Sequence, residues 1–242
     1  MTGNTKEFSF VQKGTGKDLV FLHGYLSSKE AFTAQIHYFS RFYRVTALDF
    51  LGFGKSPALT APFSVSDYAA WTVAALQMLG VERPHVIAHS FGCRVAVKIA
   101  KNNADFFDKM LLTGPAGVVL KRPFSYKVKV GAYRFCRRIA PRFAERKFGS
   151  REYRSLSPIM KESYKKIVNE DLRADARQVK NSVLIVEGEE DKTTPLLEAQ
   201  AYLSCFERGA LTLMRGGHFA FAQYPLAFNL IAEEYFLNGR ID

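Results

Sequence analysis

The chain has 242 residues, 48% hydrophobic and 24% charged, with a formal net charge of +11. That is enough apolar chain to bury one sizeable core, and no apolar run approaches the ~20 residues of a membrane span. Met1-Thr2-Gly3-Asn4-Thr5-Lys6-Glu7 lacks a secretory leader's layout, and three sparse cysteines (Cys93, Cys136, Cys205) fit reduced thiols rather than a disulfide framework, so a cytoplasmic protein is expected.

In chain order, strands and helices alternate, which predicts parallel pairing through helical crossovers. The first strand is expected near 6–12 and the second near 17–22. Lys13-Gly14-Thr15-Gly16 between them reads as a tight turn, so these two strands are expected to form an antiparallel hairpin. His23-Gly24-Tyr25-Leu26 follows the second strand. A loop there can aim a backbone N–H at a developing oxyanion, and the Tyr25 amide is the candidate. Gly24 lets that backbone approach closely. His23 reads as a residue that braces the loop. A helix near 31–39, a strand near 43–48, a helix near 66–80 and a strand near 84–89 continue the alternation.

The run Val86-Ile87-Ala88-His89-Ser90-Phe91-Gly92 is the most informative stretch. An apolar strand ends, a serine follows, and a helix near 91–103 begins at once. A sharp strand-to-helix turn of this kind exposes a serine hydroxyl and aims a helix N-terminus at the reacting centre. It tolerates only small residues two places either side of the serine, which Ala88 and Gly92 supply. Ser90 is thus the candidate nucleophile and the Phe91 amide the second oxyanion donor. The plainer reading is a serine that caps a core helix. His89 is expected to point away and pack.

After a strand near 108–113, residues 116–181 break the alternation. They show helical stretches at 124–139 and 158–170 and no convincing strand, and are expected to form a lid inserted into the core of 1–115 and 182–242. Residues 121–180 hold 18 of the 34 Lys and Arg but only 6 of the 23 Asp and Glu, so the excess positive charge lies there. Three readings stay open: solvated faces of amphipathic helices, arginines turned inward onto a substrate carboxylate or phosphate, and docking on an anionic membrane surface. Phe124, Tyr126, Tyr133, Phe135, Phe143 and Phe148 interleave with the basic residues. No nucleic-acid reader motif accompanies them.

The alternation resumes with a strand near 182–187, a helix near 195–206, a strand near 210–214 and a helix near 225–237. A nucleophile on such a turn needs a base and an orienting acid, which follow it as acid and then histidine. His218, in Arg215-Gly216-Gly217-His218, is the one histidine after Ser90, and so the candidate base. Glu187, Glu189, Glu190 and Asp191 are neighbours after the earlier strand. Asp191 is the choice, because it lies furthest into the loop and completes Gly-x-x-Asp-x-x-x-Pro. Glu189 and Glu190 read as solvated.

Together, His23-Gly24, Asp49-Phe50-Leu51-Gly52-Phe53-Gly54-Lys55-Ser56, the Ser90 turn, Gly188-x-x-Asp191 and Gly217-His218 resemble the α/β-hydrolase superfamily, among it the small lidded serine hydrolases related to carboxylesterases and carbon–carbon bond hydrolases. The resemblance implies an α/β fold with a mostly parallel sheet, helices on both faces and an inserted helical lid. It also implies a Ser90–His218–Asp191 triad, with Tyr25 and Phe91 amides as the oxyanion hole. The departure is Ala88, where the first glycine of the serine motif usually stands. The expected reaction is hydrolysis of a carboxylic ester of a small or medium-sized, possibly anionic, molecule. The alternatives are carbon–carbon cleavage of an anionic keto acid, and a non-catalytic ligand-binding role. Serine at position 90 argues against a dehalogenase or an epoxide hydrolase, which would carry Asp there. No Cys/His cluster has metal-ligand spacing and no phosphate or dinucleotide loop occurs, so no cofactor or metal is expected, no nucleic-acid partner and no stable membrane insertion.

Overall fold

The computed structural model describes residues 8–119, 153 and 155–238. Its strands are β1 (Phe10–Lys13), β2 (Asp18–Leu22), β3 (Arg44–Leu48), β4 (His85–His89), β5 (Lys109–Thr113), β6 (Ser182–Gly188) and β7 (Gly209–Met214). The described helices are α1 (Thr33–Phe39), α2 (Val65–Met78), α3 (Phe91–Asn102), α4 (Pro158–Val168), α5 (Arg173–Ala176), α6 (Leu196–Leu203), α7 (Ala220–Gln223) and α8 (Pro225–Asn238), with a short 3-10 turn at Lys29–Phe32.

The strands form one sheet in the order β1-β3-β2-β4-β5-β6-β7, and every pairing except β1 with β3 is parallel. Parallel strands covered on both faces read as continuous apolar runs; β2 and β4 bury all five of their residues. Alternate residues then face opposite layers. Val20, Leu22, Val86, Ala88, Met110, Leu112, Val183 and Ile185 join α2, α3 and α6 residues in one core. Leu19, Phe21, Ile87, Leu111, Leu184 and Val186 join α1 and α8 residues in the other. Ser64 and Asp67 close a reciprocal capping box at the start of α2, which satisfies two otherwise orphaned N–H groups.

The expected hairpin of the first two strands does not form. β1 is antiparallel, but to β3, with Phe10 opposite Leu48 and Lys13 opposite Val45. β2 has no free edge, because β3 and β4 flank it in parallel. The polar, largely exposed β1 instead occupies the sheet margin, where a half-polar strand costs least. Gly14 and Gly16 adopt φ +84° and +102°, and a Cβ on Gly14 would lie 2.3 Å from the Tyr43 carbonyl oxygen. The turn thus crosses beneath the start of β3 instead of closing on β2.

Between β5 and β6 the described residues include two helices, α4 and α5. Arg94 of α3 donates to the Glu170 carbonyl at 2.6 Å, and Lys98 pairs with the Glu170 and Asp175 carboxylates, which ties this segment to the helix that follows Ser90. The helix expected at 124–139, and the six aromatic residues among its basic neighbours, lie outside the described residues. Among the described residues no helix is long and apolar enough to cross a membrane. Cys93 and Cys205 are free and buried; Cys136 lies outside the described residues.

Candidate active site

β4 ends at His89 and α3 begins at Phe91, so Ser90 alone makes the turn, at φ 50° and ψ −106°. A non-glycine residue held there stores of order 1–3 kcal/mol, sustained only by its surroundings. The Ser90 N–H donates to the Thr113 carbonyl at 3.1 Å, and its carbonyl accepts from Cys93 and Ala116. The side chain makes no capping hydrogen bond, so helix capping does not account for this serine. Ala88 is fully buried in the first core layer, where its methyl fits; this explains why the departure from glycine is tolerated. No such freedom exists at Gly92, where a Cβ would lie 2.2 Å from the Leu22 carbonyl oxygen and 2.9 Å from that of His23. Overpacking of this kind typically costs about 1–3 kcal/mol. Gly92→Ala is therefore expected to lower the melting midpoint by several degrees, at about 2–4 °C per kcal/mol for a chain of this size, as read by scanning calorimetry.

Asp191 and His218 come from loops after adjacent parallel strands, β6 and β7. Backbone bonds join the two loops: Glu189 N–H to the Met214 carbonyl and Glu190 N–H to the Gly216 carbonyl, both at 2.9 Å. A Cβ on Gly188 would lie 2.4 Å from the Gly217 oxygen. The result places His218 Nδ1 2.7 Å from Asp191 Oδ2. Thr193 and Thr194 N–H groups donate to Oδ1 at 2.7 and 3.0 Å, and the Thr194 hydroxyl donates to Oδ2 at 3.0 Å. Burial alone would raise the Asp191 carboxyl; the bonds from His218 and the two threonines outweigh it and hold the group well below the usual carboxylate range. A carboxylate so placed fixes His218 as the Nδ1–H tautomer, leaving Nε2 free to accept a proton.

Ser90, Asp191 and His218 thus sit at the carboxyl ends of three parallel strands of one sheet, β4, β6 and β7, where open sheets form their ligand crevices. Gly114, just beyond β5, lies against the acid–base pair: at φ +51°, a Cβ there would lie 3.1 Å from His218 Nδ1 and 3.3 Å from Asp191 Oδ2. Sequence reasoning did not single it out; a glycine directly after a strand, in Thr113-Gly114-Pro115, was the available signal. His89 does more than pack. Its Nε2 lies 2.9 Å from the His218 carbonyl oxygen and its ring lies against His218, Phe219 and Phe221. Burial lowers it to about 3, so the ring is neutral and donates from Nε2 to that carbonyl.

On the opposite side, Gly24 brings the loop after β2 up to the serine turn. A Cβ there would lie 2.8 Å from His89 Nδ1 and 3.5 Å from the Ser90 Cβ. Among the described residues no acceptor engages the Tyr25 or Phe91 N–H. The Tyr25 ring packs on Phe53, Phe91 and Tyr164, and its hydroxyl donates to the Met160 carbonyl of α4 at 3.3 Å. His23 braces the loop: Nδ1 donates to the Gly24 carbonyl at 2.7 Å, and Nε2 accepts the Phe50 N–H at 3.0 Å. Burial lowers it to about 4, which keeps it neutral for both bonds. The Asp49-to-Ser56 motif is a brace as well, since the Asp49 carboxylate takes the N–H groups of Lys29 and Lys55 and the Lys29 ammonium. Among the described residues no group of three or more His, Cys, Asp or Glu could hold a metal ion.

A family model described as the alpha/beta hydrolase fold matches residues 18–135. An (E)-2-((N-methylformamido)methylene)succinate hydrolase of Acinetobacter baylyi is 30% identical over 107 residues, 44% of this chain and 41% of the relative. The chain thus spans about two-fifths of that relative, and about a quarter of two probable lysophospholipases of Arabidopsis thaliana that it also matches. Among solved structures, a meta-cleavage product hydrolase of Pseudomonas fluorescens superposes with a TM-score of 0.74 at 21% identity, over 96% of this chain and 95% of its own. An esterase of Exiguobacterium antarcticum superposes with a TM-score of 0.75, also at 21% identity, over 94% of each chain. Likeness at such identities shows the fold.

Proposed function

From the α/β-hydrolase fold that this chain has, we propose that it is a serine hydrolase cleaving a carboxylic ester of a small or medium-sized molecule through an acyl-enzyme. The observation that carries the reading is the Asp191–His218 pair at 2.7 Å, at the same strand ends as a serine held in a strained turn with its hydroxyl unused for capping. Ser90 Oγ attacks the acyl carbonyl while His218 Nε2 takes its proton, and Asp191 holds the tautomer and stabilises the imidazolium. The Tyr25 and Phe91 N–H groups receive the oxyanion; removing one such donor typically lowers turnover by about 10²–10³. The alcohol leaves with the proton from His218, and water, activated by the same histidine, releases the acid. Residues 116–181 form the lid over this site in the proposal. The reaction as written calls for no cofactor.

A specific observation supports a second reading. The positive excess of 121–180 suits an anionic substrate, the curated relative is named for a succinate derivative, and one structural neighbour is a meta-cleavage product hydrolase. The same triad would then cleave a carbon–carbon bond of an anionic keto acid. Turnover of p-nitrophenyl esters of rising acyl length, beside that of an anionic vinylogous keto acid, decides between them. Ester turnover is the expected result, with its length optimum sizing the pocket; turnover of the keto acid alone would establish carbon–carbon cleavage. A folded protein inert to both, whose Ser90 resists a fluorophosphonate probe, would be a binding protein.

A further inference from the structure

Among the described residues three that are not glycine hold a positive φ: Leu26, Arg83 and Ser90. Ser90 has its reason in the sharp turn after β4. Leu26, at φ 55°, has none in packing, since it is 46% exposed. It takes the third position of a β-turn that the Ser27 N–H closes on the Gly24 carbonyl at 3.3 Å. A positive φ at that position favours glycine or asparagine, and glycine adopts it with no Cβ to clash. A leucine there holds backbone strain and leaves apolar surface in water, and glycine would remove both. Residues strained in this way cluster where a site uses them.

Leu26 stands beside the reacting centre. A Cβ on Gly24, two residues earlier, would lie 3.5 Å from the Ser90 Cβ, and Tyr25 between them carries the N–H assigned above to the oxyanion. In the sheet, β2 lies on one side of β4, and β6 and β7 lie on the other. His218 must serve both Ser90 Oγ and the leaving oxygen, so the alcohol lies toward the loop after β7. There Phe219 is 45% exposed, with its ring centroid 5.4 Å from that of His218. The acyl chain then extends the other way, over the loop after β2. That loop offers it apolar surface. The Tyr25 ring packs on Phe53, Phe91 and Tyr164, and the Lys29 ammonium is taken by Ser9, Glu30 and Asp49.

We infer that Leu26 is a specificity-determining residue whose side chain receives the acyl chain, and that this acyl group is an apolar aliphatic chain longer than acetyl. The inference rests on the Ser90–His218–Asp191 reading above. Contact with the chain covers the leucine that the free protein leaves in water, and the strained turn is what aims it at the substrate.

Leu26→Gly keeps the turn and removes only the side chain. Its ratio of kcat/KM for p-nitrophenyl hexanoate to that for the acetate is expected to fall about tenfold, the scale of losing about two buried methylene groups. Leu26→Met, as long and as apolar, is expected to recover most of that ratio. The melting midpoint of Leu26→Gly should not fall, because relief of the positive φ offsets the greater freedom of glycine in the unfolded chain. An unchanged ratio in the glycine variant overturns the inference, whether the two esters keep their turnover or lose it together; equal losses with a lowered midpoint would make Leu26 a packing residue of the turn. If the wild type has no Ser90-dependent activity, the hydrolase reading falls. The calorimetric affinity for hexanoate relative to acetate, wild type against Leu26→Gly, then decides the contact by itself: a preference for hexanoate that the substitution abolishes upholds it, and one that it leaves unchanged, or no preference at all, overturns it.

Discussion

Ser90→Ala is expected to lower kcat on a susceptible ester by about six orders of magnitude, the loss typical when the nucleophile of a cooperating triad is removed, with the melting midpoint almost unchanged. The two halves of that expectation have separate causes. Stability at this turn rests on the main chain: the Ser90 N–H on Thr113, and the Ser90 carbonyl under Cys93 and Ala116. Alanine keeps those bonds and carries the same Cβ into the same positive φ. The hydroxyl caps nothing, so its removal touches only the chemistry. Steady-state turnover beside calorimetry reads both; substantial activity in a folded Ser90→Ala protein would sink the triad reading.

The second large effect is at Asp191, where isosteric Asp191→Asn is expected to reduce kcat by about 10⁴. The local geometry dictates the mechanism. Two backbone N–H groups, of Thr193 and Thr194, fix an acceptor at the Oδ1 position. The amide oxygen must stay there, which turns the new NH₂ toward His218 Nδ1, now 2.7 Å from Oδ2. A donor at that place selects the opposite tautomer, with the proton on Nε2, and the ring can no longer accept from Ser90. The loss should therefore persist at every pH at which the protein is folded, and proton-detected NMR should find the His218 proton moved from Nδ1 to Nε2. A variant that retains the Nδ1–H signal and wild-type turnover would remove Asp191 from the proposed mechanism.

Most of this architecture was legible because it is written in local pattern. Buried parallel strands announce themselves as short apolar runs, and all seven were expected close to where they stand. The serine turn was legible because its geometry admits only small neighbours, and His218 because chain order leaves one histidine after Ser90. Among the four neighbouring acids, the loop position pointed to Asp191, and the structure brings Asp191 rather than Glu189 or Glu190 against His218. The pairing of β1 was not legible. Gly14 and Gly16 mark a turn equally well whether the chain returns to its neighbour or passes beneath it, and only the occupation of both β2 edges decides.

The sequence alone thus determined the order of elements, the serine turn and the residue types that could cooperate around it, since these depend on side-chain size, polarity and spacing along the chain. Tertiary structure decided what depends on groups far apart in sequence meeting in the absence of water. It laid Gly114 against the acid–base pair, hung the His218 carbonyl on His89, and zipped the loops after β6 and β7 together. It also gave Glu187, an ordinary strand-end acid in the sequence, a fully buried place where one carboxylate oxygen has no hydrogen-bond partner among the described residues. A proton's position follows from the sum of burial and nearby charge, and that sum does not exist until the chain has folded.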